Sequence, residues 1–501
     1  MHKMKFRIGA STNWVPELWT RQTRVLFFTS LIVLFASKGQ AFLPGYAFDD
    51  FVASDAHVPV RHFLSQGRFS SAAIFWVLKA INTPAALVYW PALLLLFPVL
   101  AASITLGIAY VVGKQGRLYT LALAVGLASS YPYLTEYFTF RMVALPLLTG
   151  FGGLLVFLAC ASLQDFRDGP PQPMRTSLVL YGALGLLVAT GSFQHIFLLA
   201  CIFCIGAVVA TRWGEDGRGW RATFALNKAS LLMLLMTAVS YALIFSLIKL
   251  LVAVGGDSRA EVLGFSAIYT RFIEFGALAR KILFGSEPLV SAIAKATVAI
   301  IIGAYLVLAV RRHPMQTLAT VLAALILVVV AVAFVLLGKT WWPVPRAIFP
   351  LGFSLAVVVA LLGRYVAPPT WLRVLGLASI GLLCLHSSAI LSDQLRLNRW
   401  DMNKAALISR DILAHPEFSP SRSVVLVGGS WRHEISLRTT DGDLNASVFI
   451  ADWGVGGLFR EATGLAWSRL GAATEHHACD HQKWPQQGAI KLSGEAIVVC
   501  L

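Results

Sequence analysis

The sequence predicts an all-α polytopic membrane bundle of about eleven transmembrane helices, followed by a small C-terminal α/β domain. Three observations predict it. Of the 501 residues, 57% are hydrophobic and only 13% charged, where a soluble domain carries roughly 25% charge. The mean hydropathy is +0.71, so the chain lacks the polar surface to face water all round. Finally, a hydrocarbon core of about 30 Å takes roughly 20 helical residues to cross, and apolar runs of that size recur until residue 391 and then stop.

The runs place spans near 25–43, 85–112, 118–131, 142–163, 177–191, 194–211, 229–254, 290–310, 316–337, 347–363 and 372–391. Those at 118–131 and 177–191 are short. Basic residues collect in alternate connections: Lys114 and Arg117, Arg167 and Arg175, then Arg212, Arg218, Arg221 and Lys228, then Arg311 and Arg312, then Arg364 and Arg373. The intervening loops 129–141 and 191–194 hold almost no Lys or Arg. The positive-inside rule then sets the N-terminus in the cytoplasm and residues 392–501 outside it. Residues 1–24 form a basic cytoplasmic interfacial segment, anchored by Trp14 and Trp19. The run that follows has no small-residue cleavage site and is not a signal peptide.

The net charge of +16 raises nucleic acid as a partner. The basic residues sit in short clusters between apolar runs, where anionic headgroups attract them, and no basic stripe interleaved with aromatics occurs. The bilayer is the expected partner and nucleic acid is not. Cys160, Cys201, Cys204 and Cys384 lie inside apolar runs and read as small packing residues, despite the redox-like spacing of Cys201 and Cys204. Cys479 and Cys500 belong to the polar C-terminal part and pair as a disulfide if that part is extracytoplasmic.

The transmembrane domain, 25–391, contains two outward segments too long for turns and too polar for spans, 44–84 and 255–289. Apolar and charged residues alternate there at helical spacing, as in helices lying on a membrane face; Phe69–Ala80 is the clearest stretch. The C-terminal domain, 392–501, shows a helix candidate at Asn398–Ala414 and a buried strand at Ser423–Gly428. A second strand is expected at Ala446–Ile450, and a hairpin from Ala489–Leu492 and Ala496–Cys500. Gly428-Gly429-Ser430 reads as a turn, since the rest of a dinucleotide fingerprint is missing.

Ionisable residues near the membrane each need a reason. Asp49 and Asp50, in Gly45-Tyr-Ala-Phe-Asp-Asp-Phe51, fall just past the outer end of the first span. Adjacent carboxylates repel, and one held at the bilayer surface is placed to take a proton from an acceptor hydroxyl. Read alone, the pair is better explained by a helix cap or polar collar than by catalysis. On the same side fall His57, Arg61, His62 and Arg68, then Glu136, Tyr137 and Arg141, then Gln194 and His195, then Arg346. Arginine grips phosphate with a planar two-pronged fork, so Arg68, Arg141 and Arg346 are lipid-phosphate candidates. His57, Arg61, His62, Glu136, Tyr137, Gln194 and His195 are substrate-contact candidates. No cofactor is assigned. A divalent metal on Asp49, Asp50, Asp55 and His57 is an alternative, although hard-cation sites need several oxygen ligands and the spacing matches no strong motif.

These residues resemble the bacterial glucosyltransferase-domain family, the type that adds glucosyl branches to O-antigen of lipopolysaccharide and converts serotype. The resemblance runs through Asp49-Asp50, Ser65-Gln-Gly-Arg68, the Tyr131–Arg141 loop, Ser192-Phe-Gln-His195 and Pro345-Arg346-Ala-Ile-Phe-Pro350. It covers about residues 40–210 and 340–365 and is weak elsewhere. His195 and the Trp341-Trp342 pair depart from the pattern. It implies the fold of polytopic class-C glycosyltransferases, a polyprenyl-phosphate-linked sugar donor and a surface-glycan acceptor. It also implies Asp49 as base with Asp50 beside it, and a place in the bacterial inner membrane with the C-terminal domain in the periplasm. The alternatives are a lipid-sugar flippase or transporter, which favours internal repeats and midplane charges not seen here, and an O-antigen polymerase or ligase. The sugar, linkage and oligomeric state are not written in the sequence.

Overall fold

The computed structural model describes the chain from residue 18 onward. It leaves out 44, 54–59, 86, 114–115, 166–173, 214–218, 253–260, 262, 265–266, 286–288, 420–421, 429–434, 443, 451, 465–469, 474–478, 480–481 and 494–495. Trp14, Asp55, His57, Lys114, Arg167, Arg218, Gly429 and Ser430 lie outside the described residues.

Each of the eleven expected runs holds a helix. In chain order, with the amphipathic helices included, these are α1 Arg21–Lys38, α2 Phe69–Ala80, α3 Tyr89–Val112, α4 Leu118–Ser130, α5 Ala144–Gln164, α6 Thr176–Ser192 and α7 Gln194–Arg212. They continue with α8 Lys228–Val252, α9 Ile268–Phe284, α10 Ala292–Val310, α11 Pro314–Ala331, α12 Pro350–Tyr365 and α13 Thr370–Leu413. Among the described residues nine helical stretches are long and apolar enough to cross a membrane. The chain is a multi-pass membrane protein.

Local sequence sets the helix ends. Thr20 caps α1 by accepting from the Thr23 N–H at 3.2 Å, and Ser291 caps α10 from Ala294 in the same way, each satisfying an N–H the helix itself leaves open. Pro314 and Pro350 stand at helix starts, where the missing N–H costs nothing. α4 has 13 residues, about 20 Å of rise, too short to cross alone. It is followed by helical turns at Pro132–Thr135, Glu136–Thr139 and Arg141–Val143. Residues 132–141, expected as a short outer loop, are buried throughout. A row of Phe, Tyr and Leu side chains there has neighbouring helix ends to pack on.

α12 is the axis of the bundle, with 83% of its apolar window buried; it packs on α4, α7, α10 and α11. α8 is the opposite case at 11%. Its Leu243 and Leu250 project outward, where lipid tails serve as solvent for apolar side chains. Lys249 near its end lies with Nζ 4.6 Å from the Phe245 ring centroid.

α13 runs without a break across the expected boundary at 391/392. The helix looked for at 398–414 is the last third of one unbroken helix of 44 residues. Its polar half holds the C-terminal domain. Asp393 accepts from the N–H groups of Arg438 and Thr439 and from the Thr439 hydroxyl at 2.7–3.0 Å. Asp401 accepts from Ser447 Oγ and the Val448 N–H. That second clamp explains another correction: the strand expected at 446–450 is a 3-10 turn, Val448–Ile450, because its start is tied to a helix rather than to a strand.

The domain's sheet has four strands, β1 Ser423–Val427, β2 Leu470–Ala473, β3 Ile490–Ser493 and β4 Ala496–Cys500, in the order β2-β1-β4-β3. β1 runs parallel to both neighbours, with Val425 opposite Val498, and β3 pairs antiparallel with β4. β2, Leu-Gly-Ala-Ala, carries no β-branched residue and gave no strand signal; parallel pairing with β1 supplies its structure. Cys479 and Cys500 are joined by a disulfide. Helix α14, Asp452–Thr463, packs between the sheet domain and the turn at 48–51.

Candidate functional site

The adjacent aspartates face opposite ways. Asp50 is 1% exposed and accepts three backbone N–H groups: Ala47 at 2.9 Å, Arg141 at 2.9 Å and Met142 at 2.8 Å. The last two are open donors at the start of the α5 span, so Asp50 is a helix cap supplied from another segment. Burial raises its pKa from 3.8 to about 6, against the pull of the three N–H groups and the Arg141 cation. Asp49 is half-buried, and its Oδ1 accepts from Trp453 Nε1 of α14 at 3.1 Å. Of the two, Asp49 is the carboxylate that water reaches.

The three phosphate candidates divide into two groups. The Arg141 guanidinium carbon lies 4.4 Å from the ring centre of Tyr46 and 5.1 Å from that of Tyr89. Its Nε and one Nη are buried with no hydrogen-bond partner among the described residues, and the ring faces take their place. Burial, followed by the Glu461 carboxylate, pushes the Tyr46 phenol up, while Arg141 opposes. Arg141 thus belongs with Asp50.

Arg68 and Arg346 form the other group. Arg68 lies over Phe193 at 5.0 Å. Arg346 meets Glu136 through both its backbone N–H, at 2.6 Å, and its guanidinium, and lies over Phe140 and Trp342 at 5.1 and 4.6 Å. Both cations act electrostatically on the same two side chains, Tyr137 and His195. Tyr137 packs edge-on to Phe193 and Phe349. His195 packs on Phe334 and Phe349, its Nδ1 buried without a hydrogen-bond partner among the described residues. Arg68 thus reaches Tyr137 through the Phe193 ring, and Arg346 reaches it through Glu136, its neighbour in the chain.

Gln194 turns away from this cluster. Its amide donates to the Gln66 carbonyl and to Tyr241 Oη, which donates to the Gly67 carbonyl. Gly67 has φ +74°, and a Cβ there would run into the Tyr241 hydroxyl, so glycine holds the turn that presents Arg68. Arg61 and His62 are exposed on the turn Val60–Ser65. The His62 ring sits 2.9 Å from the Gln66 amide. The metal alternative does not assemble among the described residues: Asp55 and His57 lie outside them, and Asp50 is occupied by backbone.

The two groups are neighbours through a row of edge-on rings. Phe140, under Arg346, packs edge-on to Phe48 at 6.0 Å, and Phe48 packs on Trp453 at 6.2 Å, the tryptophan bonded to Asp49. Sequence reasoning missed Trp453; an isolated Trp in a polar domain gives no positional signal. It also had no place for Trp341 and Trp342. Trp342 stacks on Arg346, and Trp341 lies 5.2 Å from the Arg271 guanidinium. Arg271 donates to Glu274 and to the carbonyls of Gly338 and Lys339, which braces α9 against the segment leading to Arg346.

Fold and site together define a multi-pass membrane protein with a basic, aromatic-lined cluster and a solvent-facing carboxylate where its helices end. No family model, no curated protein and no solved structure matches the chain.

Proposed function

We propose that the chain is a membrane glycosyltransferase that moves a hexose, glucose being the first candidate, from a polyprenyl-phosphate donor to O-antigen or another surface glycan. The observation that carries this reading is the approach of Arg68, over Phe193, and Arg346, paired with Glu136, to the rings of Tyr137, Phe349 and His195, one row of rings from Asp49. A lipid-phosphate donor needs cations where helix ends meet water, and an acceptor sugar needs a base beside them. In this reading Asp49 takes the proton from the acceptor hydroxyl, whose oxygen attacks C1 of the donor sugar. The bond from C1 to the phosphate oxygen breaks, and the charge left on the lipid phosphate is stabilised by Arg68 and Arg346. Direct displacement inverts the anomeric centre. Asp50 and Arg141 hold the Asp49 turn against the α5 span.

The reading includes eleven crossings, a cytoplasmic N-terminus and a periplasmic C-terminal domain in a bacterial inner membrane. The Cys479–Cys500 disulfide supports it, since such bonds persist in oxidising compartments. Surface-glycan analysis of cells carrying Asp49→Asn tests the chemistry: branch addition should be lost with the protein still in the membrane. Full branching by that variant removes the proposed base. Altered glycan chain length in its place would indicate a polymerase or ligase.

A further inference from the structure

We infer that Trp453 and Asp49 form a sugar-binding subsite, in which one hexose ring of a glycan stacks on the indole with a hydroxyl at the carboxylate. The inference rests on the transferase reading for the identity of that glycan as acceptor, and on the geometry for the subsite itself.

Trp453 is 60% exposed. The other exposed tryptophans among the described residues are Trp19, Trp76, Trp90, Trp220 and Trp371, and each lies in or just before a helix at the membrane, where indole rings favour the interface. Trp453 instead opens α14 of the α/β domain. Its Nε1 is fixed by Asp49 Oδ1 at 3.1 Å, and its ring rests edge-on against Phe48. The indole is therefore held in orientation beside a carboxylate.

The spacing is built into the backbone. α14 meets the 48–51 turn through Gly454 and Gly457. A Cβ on Gly454 would lie 2.8 Å from the Phe48 carbonyl oxygen, and one on Gly457 would run into the Phe51 carbonyl oxygen. Only glycine permits so close an approach, so the helix cannot carry Trp453 away from Asp49 without a gap opening. A hexose suits this pairing. One face of its ring presents C–H groups, which pack on an aromatic face, and its rim presents hydroxyls, which donate to a carboxylate. An alkyl chain would leave the carboxylate unused, and a compact anion would be repelled by it.

The test uses the full chain in nanodiscs without donor lipid. The probe is the delipidated surface polysaccharide of a strain lacking this protein, followed by saturation-transfer NMR and equilibrium binding. The wild type should bind, Trp453→Ala should bind at least tenfold more weakly, and Trp453→Phe should retain most of the affinity. Asp49→Asn should bind more weakly than the wild type, because with its amide oxygen accepting from Nε1 the remaining NH₂ cannot accept from a sugar hydroxyl. In a transfer assay Trp453→Ala should raise KM for the acceptor more than it lowers kcat. Equal affinity of wild type and Trp453→Ala, or no binding by the wild type, overturns the subsite. Neither result touches the transferase reading, which stands or falls on branching by Asp49→Asn cells. Thermal melting confirms folding, and Trp453→Gln replaces the alanine variant if that one unfolds.

Discussion

Arg346 holds Glu136 from two directions, through its own backbone N–H and through its guanidinium. Glu136 is fully buried, so the pairing with Arg346 offsets the cost of holding its charge there. The pair ties the buried segment after α4 to the entrance of α12, the two elements nearest the axis of the bundle.

Glu136→Gln should therefore destabilise the protein by about 3–5 kcal/mol, the range for removing one partner of a buried ion pair. The guanidinium then loses its carboxylate partner in a low-dielectric site. Thermal unfolding in detergent measures this, and the Glu136→Gln/Arg346→Gln double variant should recover part of the loss. Additive losses would show the two residues to be uncoupled.

Asp50 gives a pH dependence of definite sign. Burial lifts its pKa from 3.8 to about 6 in the folded protein, so the folded state binds the proton more tightly than the unfolded chain. Stability from this group is then highest below about pH 3 and falls as pH rises through 4 to 6, by roughly 3 kcal/mol in all. It is flat above about pH 7. Subtracting the Asp50→Asn profile from that of the wild type isolates the effect. Asp50→Asn should also be less stable at every pH, because its amide NH₂ faces N–H donors where an oxygen accepted them.

Much of the architecture was legible because lipid imposes a simple rule. Runs such as 229–254 and 290–310 face hydrocarbon on most sides, so length and hydropathy alone locate them. The exception is instructive. The end of α13 reads as a separate polar helix because composition changes near residue 392, yet a helix continues through such a change when nothing breaks its hydrogen bonds. Of the site, Asp49, Asp50, Arg68 and Arg346 stood out as charges near the bilayer. Their division of labour did not. Whether a carboxylate caps a helix or faces water depends on which N–H groups tertiary folding brings to it, and the Arg141 and Met142 groups come from a different helix end.

Gly457→Ala places a methyl group against the Phe51 carbonyl oxygen. Overpacking of this kind costs about 1–3 kcal/mol, and here the strain falls on the contact between α14 and the Asp49 turn. Hydrogen exchange should rise over residues 46–51 while the spans remain protected. Unchanged exchange there would mean that the turn is held by Asp50 alone.

The Cys479–Cys500 bond closes a loop with a sequence separation of 21, worth about 3 kcal/mol by loop-closure entropy. Peptide mapping under non-reducing conditions should recover the two cysteines linked. Cys500→Ser should loosen the end of β4, inside the sheet, and leave the membrane bundle unaffected. Recovery of two free thiols from native membranes would count against an extracytoplasmic domain.

α13 is a single rod about 66 Å long, more than twice the thickness of the hydrocarbon it enters. Its dry end answers to the bilayer, and its wet end, through Gln394, Asn398 and Asp401, grips Tyr46 and the α/β domain. A membrane of different thickness tilts a crossing helix, and here tilt at one end becomes displacement at the other. Acyl-chain length would then set how high above the lipid the Asp49 carboxylate rides, making the bilayer itself an adjustable part of the machinery.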